Sequence, residues 1–305
     1  MSGTIKTVAL CTATGKFGPV LLNALLKEGF SVTVISRQSS KSTSFPSDVA
    51  VRTVSDAYTT PELTDAFRGL DVVVLCLPFA LLPSATRFAE ASLAAGNRWL
   101  VASTYAANLF DKNYELFPAS GPHRAAVGDL TRMGKEQEKW KWTAISCGPW
   151  VETAVASSAW QISAPSKTAT LLDNGSNIFS SSTRRQTALA VARVLSRTPA
   201  LAANNSIYIS SFETSMSSVV DVYKLLGGSE GWKVDSMSST EQIERSQAAL
   251  AKGDFPAGYK GLALVVSTAA GYGNRFSELE GYANEVLGLE EEDLVETGDT
   301  LGEGE

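Results

Sequence analysis

Apolar runs too short to be helices recur through the first half of the chain, and each is followed by a helical pattern. Thr7–Cys11, Ser31–Ser36, Val51–Val54, Asp71–Leu77, Trp99–Ala102 and Trp142–Cys147 read as strands, while Pro19–Lys27, Thr60–Phe67, Leu82–Ala95 and Pro122–Lys139 read as helices. The run Asp71–Leu77, DVVVLCL, constrains the fold most. It does not alternate polar with apolar residues, so both of its faces must be covered, the condition met by a parallel sheet between helices. Strand–helix–strand repetition then specifies an α/β fold, a Rossmann-type doubly wound parallel sheet. After Gly148 the rhythm loosens. Lys167–Leu172 and Ile207–Ser210 read as strands, and Thr183–Arg197, Glu213–Leu226, Thr240–Lys252 and Phe276–Leu287 as helices. Residues 1–150 are expected to form the main domain and residues 151–305 a smaller C-terminal lobe packed on it, with an approximate boundary and the chain crossing between lobes. The acidic tail from Glu290 is expected to fray.

The first strand–turn–helix carries the sharpest signal. Thr12-Ala-Thr14-Gly15-Lys16-Phe17-Gly18 has glycines at the second and third places of a dinucleotide-binding turn. Gly15 would let the backbone approach phosphates, Gly18 would let the helix pack close to the strand, and the helix N-terminus would supply N–H groups and a positive dipole end. Thr12 stands where such turns carry their first glycine. A β-branched residue tolerates positive φ poorly, so Thr12 is expected to hold an ordinary backbone angle with its hydroxyl toward phosphate or ribose. The second strand ends in ISRQSSKS, which puts Arg37 and Lys41 where an NAD site carries an acid. A guanidinium there matches a 2′-phosphate, so the cofactor expected is NADP(H). Ser36, Ser39 and Ser40 add hydroxyl donors.

Composition narrows the function classes. The chain has 305 residues and a formal net charge of −6, which argues against a nucleic-acid footprint. Three cysteines, Cys11, Cys76 and Cys147, lie in or beside apolar runs and read as buried thiols rather than a disulfide framework. A single histidine leaves no zinc-ligand pattern, so no metal is expected. Met1–Lys6 does not read as a signal peptide and no apolar run reaches membrane-spanning length, so a cytoplasmic protein with no membrane partner is expected. The partner expected is a small-molecule substrate, and a homodimer is the common assembly for a soluble chain.

The segments ATGKFG, SRQSSKS, DVVVLCLPF, RWLVAST-Y, WTAISCGPWVE and NEVLGL, in that order and spacing, resemble the NmrA-like, isoflavone-reductase-like family of atypical short-chain dehydrogenases. The resemblance runs from Val8 to about Leu294. It implies a Rossmann-type NADP(H) domain with a smaller substrate lobe. It implies cofactor contacts from Thr12, Thr14, Gly15, Lys16, Phe17 and Gly18, from Arg37 and Lys41, from the strand-four exit Leu77, Pro78 and Phe79, and from the strand-five exit Ser103 and Thr104. The family's reductases place a lysine where this chain has Arg124, next to His123. Arginine cannot exchange protons as a tuned lysine does. His123, with an ordinary pKa of about 6.5, is therefore the expected acid–base group, while Tyr105 and Arg124 are expected to stabilise negative charge. Trp150, Glu152, Trp160 and Phe179, after the sixth strand, are expected at the substrate. Arg184-Arg185 reads first as a solvated helix start, with a grip on an acidic group as the alternative.

The leading expectation is an NADPH-dependent reductase of a multi-ring, phenolic or alkaloid-like secondary metabolite, delivering hydride to a C=C, C=N or C=O carbon. The missing lysine favours a second reading, a cofactor-binding but non-redox cyclase or isomerase. A third is a non-catalytic NADP(H)-sensing regulator.

Overall fold

A computed structural model describes residues 4–40, 45–108, 115–117 and 120–302. Seven parallel strands form the central sheet in the order β10-β6-β5-β4-β1-β2-β3, from β1 (Thr7–Cys11), β2 (Ser31–Arg37), β3 (Ala50–Val54), β4 (Val72–Leu75), β5 (Trp99–Val101), β6 (Lys141–Ser146) and β10 (Asn205–Tyr208). The middle strands are apolar throughout because each face meets a helical layer. On one face Val8, Leu10, Val72 and Val74 pack with Leu21 and Leu25 of α1 (Gly18–Lys27) and Val191 and Leu195 of α6 (Arg184–Arg197). On the other, Ala9, Cys11, Val73 and Leu75 meet Phe67 of α2 (Thr60–Phe67), Phe88 of α3 (Ala85–Ala95) and Leu130 of α4 (Gly121–Glu136). Strand order reverses between β1 and β4, and in open α/β sheets such a switch point opens a crevice at the carboxyl ends of the strands.

Helices α1 and α6 run parallel. At their C-terminal ends Ser196 Oγ donates to Glu28 at 2.9 Å, and Arg193 lies 3.7 Å from the same carboxylate. At their N-terminal ends the Trp150 indole links them, meeting the Phe17 ring at 4.8 Å and donating to Thr187 Oγ1 at 3.0 Å. Both N-termini therefore face the crevice side of the sheet.

Most of the remaining residues build a second core, while Ala283, Leu287 and Leu289 join the first. The second core lies around β8 (Thr168–Leu172), between β7 (Ile162–Ser163) and β12 (Lys233–Met237), with β9 (Phe179–Ser181) and β11 (Phe212–Thr214) paired beside it. Residues Trp160, Phe179, Phe212, Met216 and Val265 fill this core. Helices α5 (Val151–Ala156), α7 (Met216–Gly227), α8 (Ser239–Ala251), α9 (Phe255–Thr268), α10 (Asn284–Leu287) and α11 (Leu294–Gly302) complete the chain. The long helix expected over Phe276–Leu287 is instead a 3-10 turn at Phe276–Glu278 and the short α10. The tail expected to fray from Glu290 is helical from Leu294, where α11 lies against α7. Among the described residues no helix is long and apolar enough to cross a membrane.

Gly18 sets how closely α1 approaches β1. A Cβ placed there would stand 2.1 Å from the Ala13 carbonyl oxygen, a contact between two stretches of backbone. Gly18→Ala is therefore expected to cost about 1–3 kcal/mol, as overpacking does. At Gly15 an added Cβ meets open space, so Gly15→Ala is expected to stay within about 0.5 kcal/mol of the parent. Thermal or denaturant unfolding of the two variants checks the contrast.

Candidate functional site

A cavity of about 730 Å³ occupies the switch point. Thr12, Thr14, Gly15, Lys16 and Phe17 form its floor at the start of α1, and Arg37 and Ser40 its wall at the tip of β2. Leu77, Pro78 and Phe79 line it from the β4 exit, and Ser103, Tyr105, His123 and Trp150 from the far side. Ser103 ties the β4 and β5 exits together by accepting from the Leu77 N–H at 3.0 Å. Lys41 lies outside the described residues.

Several residues expected at the site are elsewhere. Thr104 is buried and its hydroxyl accepts from the Ile145 N–H at 2.9 Å. Gly18 sits beneath the turn against Ala13 rather than on the wall. Arg124 is not among the lining residues. Trp160 and Phe179 pack edge to face at 5.5 Å inside the second core, 3 % and 0 % exposed, so neither can touch a substrate. Glu152 accepts the Arg184 backbone N–H at 2.8 Å and faces a separate cleft shared with Arg185 and Glu290. Conversely, Tyr58, Cys76, Thr153 and Arg184 line the cavity. Tyr58 follows the end of β3 and Thr153 follows β6, and their place at the carboxyl edge of the sheet was the available signal. Arg184 and Arg185 do open α6, with Arg185 exposed and Arg184 half-buried beside the cavity.

Thr12 also departs from expectation. Its φ is +58°, so it takes the left-handed backbone of the glycine it replaces. Its hydroxyl turns away from the cavity and donates to the Cys76 carbonyl, with the Cys11 carbonyl 2.8 Å away. Its N–H donates to the Ile35 carbonyl at 3.2 Å. One side chain thus holds together the ends of β1 and β4 on either side of the switch point, and these bonds offset a left-handed conformation that costs roughly 1–2 kcal/mol.

The phenol, thiol and imidazole of the wall are held neutral. Burial pushes the Tyr105 phenol well above its ordinary value, and the Cys76 and Cys147 thiols push it further. Its hydroxyl donates to the Leu75 carbonyl at 3.1 Å. Tyr105 therefore contributes a ring, edge to face with Phe17 at 5.0 Å, and not the charge stabilisation expected of it. Burial pushes the Cys76 thiol up to about 12. Desolvation pushes His123 down to about 4, so at neutral pH roughly one molecule in a thousand carries imidazolium. That corrects the expectation of an imidazole poised near neutrality. At the other end Asp56 accepts the Ser39 N–H at 3.1 Å. This bond, with the Arg37 charge, lowers the Asp56 carboxyl below its ordinary value and fixes the turn that carries Arg37 and Ser40.

An elongated crevice over a glycine turn, with a cation at one end and an aromatic wall at the other, fits a dinucleotide. Its volume lies in the range of small-molecule sites, the opening at Gly15 admits phosphate oxygens beside backbone, and the α1 N-terminus supplies the positive end. Comparison with known proteins agrees. Residues 12–148 match a family model described as NAD(P)H-binding. Oxidoreductase aprR of Aspergillus flavus is 30 % identical over 288 residues, covering 94 % of this chain and 95 % of that protein. The leucoanthocyanidin reductase–NADPH binary complex from Vitis vinifera has a similar fold, with a TM-score of 0.76 at 12 % identity over 97 % and 98 % of the two chains. An isoflavone reductase structure follows with a TM-score of 0.72 at 15 % identity over 93 % and 94 %.

Two predictions follow from this geometry. Thr12→Val keeps the branched side chain in the left-handed region and strands the Cys76 carbonyl, so it is expected to cost about 1–3 kcal/mol. Thr12→Gly loses the same hydroxyl but relieves the backbone and is expected to cost less; equilibrium unfolding ranks the two. His123 is the only histidine, so its ring signals in an NMR pH titration are unambiguous. They are expected to move with a midpoint near 4, where a solvated ring would give about 6.5. Between those values the unfolded chain binds the extra proton, so stability should fall as pH drops from about 6.5 to about 4 and level off below. His123→Gln should flatten that fall.

Proposed function

The chain belongs to a family of NAD(P)H-binding oxidoreductases and shares the fold of isoflavone reductase, and from that premise we propose that it is an NADPH-dependent reductase of a flat, multi-ring secondary metabolite. The observation that carries this reading is the continuity of one cavity from Arg37 and Ser40, past the Thr12–Phe17 turn, to Trp150 and His123. The cofactor, when bound, supplies a hydride, and the acceptor is an electrophilic C=C, C=N or C=O carbon of the substrate.

The protein's part is to bind, orient and exclude water. Arg37, with Ser40 beside it, receives the 2′-phosphate, and the α1 N-terminus with the Gly15 backbone receives the diphosphate. The rings of Phe17, Tyr105 and Trp150 make a dry wall for a planar substrate. His123, neutral at physiological pH, offers a ring N–H as a hydrogen-bond donor or holds the water that delivers the product's proton. Without a lysine at position 124, proton delivery through solvent replaces delivery from a tuned side chain.

A second reading, a cofactor-dependent cyclase or isomerase with no net redox change, is favoured by the absence of a group tuned near neutral pH among the described residues of the wall. Loss of NADPH absorbance during turnover of a panel of planar enones, imines and ketones separates the two, since a non-redox reaction leaves it unchanged. For the cofactor itself, Arg37→Ala is expected to weaken NADPH at least tenfold while changing NADH less than twofold, as read by fluorescence titration. Equal losses would remove the 2′-phosphate from Arg37.

A further inference from the structure

Arg184 is a cation that the fold does not answer. It opens α6, directly after the N-cap Thr183, and its side chain lines the cavity. A positive charge at this position opposes the helix dipole. Its Nη2 donates to the Thr153 hydroxyl at 3.0 Å, and that hydroxyl also faces the cavity. Its Nε is sealed from solvent and has no hydrogen-bond partner. Among the described residues no carboxylate forms an ion pair with it. The neighbouring Arg185 takes Glu292, and Glu152 gives Oε1 to the Arg184 backbone N–H. Among the described residues the bond to Thr153 is the one side-chain hydrogen bond of this guanidinium, so the outer nitrogens of its fork can take an acceptor that a ligand brings.

The surroundings favour an anion at this point. The α1 N-terminus opens on this cavity with its positive end, whereas the α6 N-terminus is capped by Thr183 and Glu152 and faces the neighbouring cleft. Arg37 stands at the β2 tip, at the other end of the crevice, so the two cations are not redundant.

We propose that Arg184 and Thr153 form an oxyanion subsite at the second-lobe end of the cavity, receiving a carboxylate or phosphate group of the bound ligand. Two carriers of that chemistry enter the cavity under the functional reading above, on which this inference rests: an acidic substituent of the substrate and the diphosphate of the cofactor. Bidentate pairing with guanidinium and a hydroxyl donor suits either.

The test uses the full chain, with Arg184→Gln, Arg184→Lys and Thr153→Val. NADPH and NADH affinities are measured by fluorescence titration. Cinnamate, a flat aromatic carboxylate, is then compared with the uncharged cinnamamide on the NADPH-loaded protein. If the substrate supplies the anion, the parent binds cinnamate at least tenfold more tightly than cinnamamide. In that case Arg184→Gln removes the preference, Arg184→Lys keeps part of it, Thr153→Val reduces it, and NADPH affinity stays within twofold. If the cofactor supplies it, Arg184→Gln weakens NADPH and NADH alike by tenfold or more. The proposal is overturned if Arg184→Gln changes neither the cofactor affinities nor the cinnamate preference. A thermal midpoint several degrees lower in Arg184→Gln with unchanged ligand affinities would likewise overturn it by marking a structural role. Should the parent not bind NADPH at all, the functional reading fails on that result alone, and the cinnamate pair measured without cofactor still judges the subsite.

Discussion

Helix α1 begins so close to the backbone of Ala13, in the turn that leaves β1, that position 18 has no room for a side chain. That contact fixes where the helix begins, and hence where its unsatisfied N–H groups and positive end point. The turn between them is braced rather than loose. Thr12 adopts the glycine-like backbone and uses its hydroxyl to join the strand ends on either side of the switch point. A glycine would relieve the backbone but leave the Cys76 carbonyl without that donor. The substitution therefore trades conformational ease for a fixed crevice width, and the intruding side chain leaves the floor clear because it points into the sheet's edge.

The cavity built on this turn works with fixed charge. Its buried phenol and thiols are pushed toward their neutral forms by desolvation, and its imidazole is neutral at physiological pH for the same reason. Guanidinium groups resist that neutralisation because they stay protonated at any accessible pH. Arg37 and Arg184 therefore provide fixed positive charge at opposite ends, with aromatic surface between them. Such a distribution suits orienting an anionic ligand in a water-poor space, where electrostatic interactions are strong. It suits proton shuttling poorly.

The sequence made the main sheet readable because its signals are local. β1 and α2 fall on the residues that periodicity assigns, and the other sheet strands differ by a few residues at their ends. What escaped depends on tertiary partners. Helix α9 contains Pro256, Gly258 and Gly261, which weaken any helical signal. Those glycines are where α8 presses against it: a Cβ at position 261 would stand 2.1 Å from Ser246 Oγ, and one at 258 would stand 2.5 Å from Leu250. Trp160 and Phe179 lie beyond the sixth strand, as a substrate wall would, yet they face the second core, and no periodicity in so short a stretch tells the two directions apart. Residue type marked His123 as the acid–base group and Tyr105 as a stabiliser of negative charge. Their burial, which decides their protonation, belongs to the folded chain.

Helix α6 connects the main sheet to the residues around the second core. In sequence it follows the stretch that begins the second lobe, yet it packs beside α1 and leads into β10 of the main sheet. Its first residue reaches back to Thr153 of α5, and its first turn holds Trp150 through Thr187. Trp150, Thr153 and Arg184 from this stretch thus help to build the far end of the cavity beside Ser103, Tyr105 and His123, while the glycine turn and β2 tip make the near end. Changes within 150–187 can reshape what lies beside the aromatic wall without moving the α1 contact that positions the near end. Variation in ligand choice is then physically separable from retention of the nucleotide crevice, because the two ends share a wall but not the backbone that fixes them.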